Sequence, residues 1–147
     1  MKMKEVTGNL WTYPADVRVI TTNSSVKKNG EAVMGRGCAA EAKALYPMLP
    51  RLLGDQILKH GNVPVYFLPA NVLTFPVKYN WYERATIDLI RAGAKEIVVL
   101  ADRHPEWQTV LLPRPGCGNG KLDWERDVKP VLAPIFDDRF HVITRVR

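Results

Sequence analysis

The sequence is poor in the residues that build most disulfide and metal sites. It has two cysteines, Cys38 and Cys117, and three histidines, His60, His104 and His141. Two cysteines so far apart cannot form the multi-bridge framework of a small secreted domain, and no cysteine spacing suits zinc. The carboxylates are scattered without a ligand-set spacing, so no metal is expected. Long apolar runs are missing too. None approaches the roughly 20 residues of a membrane span, and the N-terminal MKMKEVTGNLW is charged where a secretory signal needs its apolar stretch. The chain is therefore expected to be soluble and cytoplasmic. Neither common nucleotide fingerprint is present. There is no GxxxxGKS or GxxxxGKT, and Gly116-Cys117-Gly118-Asn119-Gly120 lacks the helix and distal acid that go with GxGxxG. This argues against a P-loop NTPase and an ordinary Rossmann dehydrogenase.

What remains is an ordinary globular composition, 46% hydrophobic and 24% charged over 147 residues, which fits one domain spanning residues 1–147 and a monomer. Lys and Arg number 21 against 15 Asp and Glu, a formal charge of +6 that favours anionic partners without naming one.

Runs of β-branched residues predict strands over 3–8 and 17–22, followed by a polar, glycine-containing loop over 23–37. A helix is predicted over 38–46. Leu49, Leu52, Leu53, Ile57 and Leu58 continue helical spacing to a stop at Gly61, with Pro47 and Pro50 dividing the two pieces. Short strands follow over 63–70 and 72–77, then a helix over 81–92 ending at Gly93. The run Ile97 to Ala101, IVVLA, reads as a central strand buried on both faces. Further strands are expected over 109–112 and 140–144. Between them lies a helix that starts near Asp123 and restarts near Val128, because Pro130 and Pro134 conflict with one straight helix. Alternating strands and helices imply an α/β layered domain with a mixed, largely parallel sheet.

Two glycine-rich loops each follow a strand and lead toward a helix, which in an open α/β sheet places both at the carboxyl ends of strands, where ligands bind. Missing side chains let backbone N–H groups approach an oxyanion, and a helix N-terminus adds a positive dipole. The pair suits two walls around a diphosphate. Lys78 ends a strand near the same edge, where a partly desolvated lysine can act as nucleophile or electrostatic catalyst; a solvated strand-end lysine is the plainer reading. His104, with Asp102, is the loop histidine and acid that could serve a phosphatase. Cys117 reads as a small filler, and the tryptophans mostly as core or rim.

In order along the chain stand Thr7-Gly8-Asn9-Leu10, Thr21-Thr22-Asn23, Ala32-Val33-Met34-Gly35-Arg36-Gly37-Cys38-Ala39, and Leu112-Pro113-Arg114-Pro115-Gly116-Cys117-Gly118-Asn119-Gly120-Lys121-Leu122-Asp123-Trp124. This series resembles the macro domains over nearly the whole chain. The resemblance implies a three-layer α/β/α fold that binds ADP-ribose and needs no cofactor. It implies that Asn9 and Leu10 meet adenine, with Asn9 where the family usually has an aspartate, and that Asn23 lies beside the distal ribose. Val33, Met34, Gly35, Arg36 and Gly37 match the first diphosphate loop, and Gly116, Cys117, Gly118, Asn119 and Gly120 the second.

Gly8-Asn9-Leu10, Phe75-Pro76-Val77-Lys78 and the GCGNGxLDW string are similar to the branch containing the terminal ADP-ribose glycohydrolases and the macro-domain antitoxins that remove ADP-ribose from DNA. In that branch a lysine matching Lys78 takes part in catalysis, with Asn23 orienting the ribose. Gly120 stands where glycohydrolases acting on protein carboxylates have an acid, which brings the chain nearer the DNA-directed type. The antitoxins usually carry a further C-terminal region, so a direct toxin-neutralising contact is not expected of these residues. The implied function is hydrolysis of a terminal ADP-ribosyl group from DNA or protein. The alternatives are a reader of ADP-ribose without chemistry and a phosphatase acting on ADP-ribose 1″-phosphate.

Overall fold

The computed structural model describes residues 2–145. Six strands form one sheet: β1 (Lys4–Thr7), β2 (Val17–Thr22), β3 (Tyr66–Phe67), β4 (Val72–Pro76), β5 (Val110–Pro113) and β6 (Phe140–Thr144), in the spatial order β1-β6-β5-β2-β4-β3. All neighbours run parallel except the short β3, which pairs antiparallel to β4. Period-two alternation divides each strand between the two faces. Val17 and Val19 of β2, Leu73 and Phe75 of β4, and Phe140 and Val142 of β6 pack into one core. Ile20 and Val72 face the other way, with Leu49 and Leu53.

Helices cover both faces, so the molecule has the expected three layers. On one side lie α1 (Gly37–Leu45) and α2 (Leu49–His60); on the other lie α3 (Ile87–Asp102), a single π-helical turn at Trp124–Val128 and the short α4 (Lys129–Leu132). The chain breaks between α1 and α2 at Pro47 and restarts with Pro50 in the first turn of α2, where its missing N–H has no helical partner to lose. Gly61 ends α2 at φ +81°. Asp123 caps the π turn, its Oδ2 accepting from Arg126 N at 2.7 Å, and the turn passes directly into α4.

The sequence reading fails most clearly at Ile97 to Ala101. These residues are the C-terminal half of α3, not a central strand, and the predicted helix over 81–92 begins only at Ile87, behind the cap Thr86. Ile90, Ala94, Ile97 and Ala101 are buried at helical spacing while Val99 stays exposed, so the run is amphipathic at a period the β-branched residues conceal. Gly93 is not a stop. A Cβ there would sit 2.9 Å from Phe75 Cε1, so this glycine lets the helix lie directly on β4. The central positions of the sheet belong instead to β5 and β2. The predicted strand over 63–70 shrinks to Tyr66–Phe67. Among the described residues no helix is long and apolar enough to cross a membrane.

Candidate functional site

Because β1, β6, β5, β2 and β4 are all parallel, their carboxyl ends converge on one edge of the sheet. A cleft of about 760 Å³ opens there, within the usual size of a small-molecule site. It is lined by Gly8 and Leu10 after β1, Thr21 to Asn23 at the end of β2, and residues 33–39 leading into α1. Val77, Lys78 and Trp81 follow β4. Pro113, Arg114, Gly116, Gly118, Asn119 and Gly120 follow β5, and Ile143 and Arg145 end β6.

The cleft thus brings together Leu10, Asn23, Lys78, the whole first glycine-rich loop and most of the second. Asn9 and Cys117 stand off its wall. Asn9 is exposed, and its Oδ1 accepts from Trp11 N at 2.8 Å. Cys117 turns its thiol to Pro115 O at 3.4 Å. Burial pushes that thiol up to about 11, and burial also raises Cys38, which lines the cleft beside Thr21. Neither sulfur is a thiolate at neutral pH, so neither supplies a nucleophile. His104 lies away from the cleft. Its ring stacks on Trp107 at 4.1 Å and its Nδ1 meets Glu106 Oε2 at 3.2 Å. The pairing of Asp102 with Arg139 further separates the His104 and Asp102 set from any role in the cleft. Among the described residues no group of His, Cys, Asp or Glu could hold a metal ion.

The two glycine-rich loops present amide groups in complementary ways. In the first, Val33 N donates to Ser25 O at 3.0 Å and Val33 O accepts from Asn23 Nδ2 at 3.2 Å, fixing the loop against the end of β2. Beyond this anchor, the N–H groups of Gly35, Arg36 and Gly37 have no hydrogen-bond partner among the described residues. Arg36, at the cap position of α1, provides no side-chain cap, and the first turn holds no acid. The positive end of α1 therefore faces the cleft uncompensated. In the second loop, carbonyls turn inward: Gly116 O accepts from Leu122 N at 2.9 Å, Gly118 O from Lys121 N at 3.1 Å and Gly120 O from Ala85 N at 3.0 Å. The N–H groups of Gly118, Asn119 and Gly120 are left without an internal acceptor among the described residues. A Cβ on Gly37 would lie 3.5 Å from Asn119 Nδ2, so the two loops meet across the cleft.

Charge reinforces this. Burial, then Arg36 and Lys121, holds the Lys78 ammonium below the ordinary lysine range. Its Nζ has one contact, to Trp81 O at 3.3 Å. Among the described residues none of Arg36, Lys78 and Lys121 has a carboxylate partner. Arg36 and Lys78 line the cleft and Lys121 stands exposed just outside it, so three cations near enough to depress Lys78 and without a counter-ion favour a multiply charged anion. Asn23 sits at this end of the cleft, its Oδ1 accepting from Ser25 N at 2.9 Å, with one N–H and one lone pair unused.

The far end contains residues that the sequence reading missed. Glu41 lines the cleft, accepting from Trp11 Nε1 at 3.3 Å and from Arg145 Nη2 at 2.6 Å. Ile143 and Arg145 come from the end of β6, and only the strand order, with β6 between β1 and β5, brings them to the site. Arg114 on the cleft wall is held by an acid: its Nη2 lies 3.8 Å from Glu5, and its guanidinium covers Trp124 at 5.4 Å. Lys27 and Lys28 are exposed and do not line the cleft.

No family model matches the chain. A DNA ADP-ribosyl glycohydrolase of Mycobacterium tuberculosis is 30% identical over 118 residues, 74% of this chain and 33% of that protein. A protein of the same name from Thermus aquaticus is 26% identical over 131 residues, 83% of this chain and 34% of its own. The chain thus spans about a third of the length of the curated relatives it matches. Among solved structures, the macrodomain of Mycobacterium tuberculosis DarG superposes with a TM-score of 0.78 at 25% identity, over 99% of both chains. Thermosipho africanus DarTG in complex with ADP-ribose does so with a TM-score of 0.75 at 20% identity, over 100% of this chain and 45% of that one.

Proposed function

Taking as premise that the chain is a macro domain, we propose that it binds ADP-ribose and hydrolyses the bond joining a terminal ADP-ribosyl group to DNA. The observation that carries this reading is Lys78: a partly desolvated amine, without a carboxylate partner among the described residues, on the cleft wall that also holds Asn23. The diphosphate lies between the two glycine-rich loops, taking hydrogen bonds from the N–H groups of Gly35, Arg36 and Gly37 on one side and Gly118, Asn119 and Gly120 on the other. Leu10 and Ile143 offer the adenine an apolar seat. Asn9 stands outside the wall next to Leu10, and its Oδ1, which accepts one bond from Trp11 N, keeps a lone pair for an adenine amino group that projects past the rim. Asn23 uses its remaining N–H and lone pair to orient the distal ribose hydroxyls.

In the reaction, neutral Lys78 Nζ attacks the anomeric carbon of the distal ribose. The bond from that carbon to the DNA breaks with its electron pair passing to the DNA atom, which takes up the proton released by the new amine adduct. Water then displaces the lysine nitrogen, freeing ADP-ribose and restoring Lys78. The attacking form is the unprotonated amine. A lowered pKa therefore enlarges its share at any given pH, and turnover climbs with pH until it levels off above the Lys78 pKa.

The test is a panel of mono-ADP-ribosylated DNA, ADP-ribosylated protein and ADP-ribose 1″-phosphate. Release from the DNA is expected, with Lys78→Ala losing about 100-fold or more in rate while titration calorimetry still shows ADP-ribose bound at micromolar strength, about −8 kcal/mol. Binding without release from any of the three would make the chain a reader. Unchanged turnover in Lys78→Ala would remove the lysine from the mechanism.

A further inference from the structure

The inference drawn here rests on the proposed action on ADP-ribosylated DNA and concerns how the strand beyond the modified nucleotide is held. Of the four tryptophans, Trp107 and Trp124 are buried and Trp11 is half-buried, but Trp81 is 49% exposed, flanked in sequence by the exposed Tyr79 and Tyr82. Three large aromatic side chains within four residues stand in solvent, and of these Trp81 lines the cleft beside Lys78.

The exposure is imposed by a pinned backbone. Trp81 N donates to Ser25 Oγ at 3.1 Å, Tyr79 O accepts from Ser24 N at 2.9 Å, and Lys78 Nζ reaches Trp81 O. The Trp81 and Tyr82 rings are perpendicular, with centroids 5.6 Å apart, so Tyr82 buttresses the indole, about half of which stays open to solvent. Next in the chain, Arg84 donates to Lys121 O at 3.1 Å, bringing its guanidinium to the end of the second glycine-rich loop. Among the described residues neither Arg84 nor Lys121 has a carboxylate partner. Glu83 is turned back to accept from Asn80 N at 2.8 Å, and Asp127, whose carboxyl the Arg84 charge helps to hold down, accepts instead from Asp123 N at 2.8 Å and from Arg126 Nε at 3.3 Å.

We propose that Trp81 is a stacking platform for the nucleobase flanking the ADP-ribosylated nucleotide, with Arg84 and Lys121 meeting the intervening phosphate. An aromatic face beside unpaired cations matches the alternation of base and phosphate along a strand. A base on Trp81 must leave its own stack, so the flanking nucleotide binds unpaired.

The experiment compares two ADP-ribosylated oligonucleotides, one with its normal flanking bases and one abasic at both flanking positions, using the full chain and its Trp81→Ala and Trp81→Phe variants. In the wild type, loss of the flanking bases is expected to lower kcat/KM about tenfold. Trp81→Ala is expected to show that loss already on the intact oligonucleotide and no further loss on the abasic one, and Trp81→Phe to restore most of the difference. An abasic penalty of equal size in the wild type and Trp81→Ala, or none in the wild type, overturns this proposal and leaves the glycohydrolase reading standing. A wild type that releases nothing from either oligonucleotide overturns both.

Discussion

The two glycine-rich loops share a composition and a position at the carboxyl edge of the sheet, yet they use glycine for different physical reasons. In the second loop Gly116 and Gly120 are locked into the fold, while Gly118 between them has open space where a Cβ would go. Gly116 has φ +75°, and a Cβ there would lie 2.9 Å from Ala85 Cβ; one on Gly120 would lie 2.5 Å from Gly116 O and 2.7 Å from Ala85 Cβ. In the first loop a Cβ on Gly35 would meet nothing within 4 Å, and the chain there is held by Asn23, Ser25 and Pro50 through ordinary hydrogen bonds. One loop is rigid because its backbone is packed against the start of α3. The other is kept clear of side chains at Gly35, on the side that faces the cleft. Glycine content alone does not distinguish a packing requirement from an access requirement.

The strongest test of this contrast is Gly120→Ala, which forces a methyl group against backbone. It is expected to lower unfolding stability by about 3 kcal/mol, the upper range for overpacking, in urea denaturation. A variant as stable as the wild type would break the comparison on that side. Gly35→Ala is expected to leave stability within about 0.5 kcal/mol while weakening ADP-ribose binding by roughly tenfold, or about 1.4 kcal/mol, in calorimetry. A stability loss at Gly35 matching that at Gly120 would erase the distinction. A smaller effect sharpens it by linking the first loop to the chemistry. Arg36→Ala removes a positive neighbour of Lys78, which raises the lysine pKa and moves the rising limb of the pH-rate profile to higher pH. Lys121→Ala is expected to act in the same direction and to a lesser degree. An unmoved limb in both would show that the limb does not report Lys78.

The same contrast explains what the sequence could and could not convey. The strands over 17–22 and 140–144 and the break between α1 and α2 were legible because each has a local cause, an alternating pattern or a proline. The helical identity of Ile97 to Ala101 was not legible, because the β-branched run conceals its helical spacing and Gly93 reads as a stop, whereas it lets the helix lie on Phe75, 18 positions earlier in the chain. Within the site, the loop residues and Lys78 carried recognisable strings. Glu41, Ile143 and Arg145 carried none, since their place in the cleft follows from β6 lying next to β1 and from α1 facing the end of β6. Composition leaves Trp81 open between core and rim, and Ser24 and Ser25 decide for the rim by fixing the backbone there.

The parallel pairing of β1 with β6 also decides how the protein can be handled. Lys4 aligns with His141 at one edge of the sheet and Thr7 with Thr144 at the other, so the described chain starts from the edge opposite the cleft and reaches Arg145 beside it. A label or surface linker joined ahead of β1 leaves the cleft clear for a long strand to approach. The same linker placed after β6 stands beside the Glu41 and Arg145 end of the cleft, where it would compete with the very molecules a binding measurement is meant to detect.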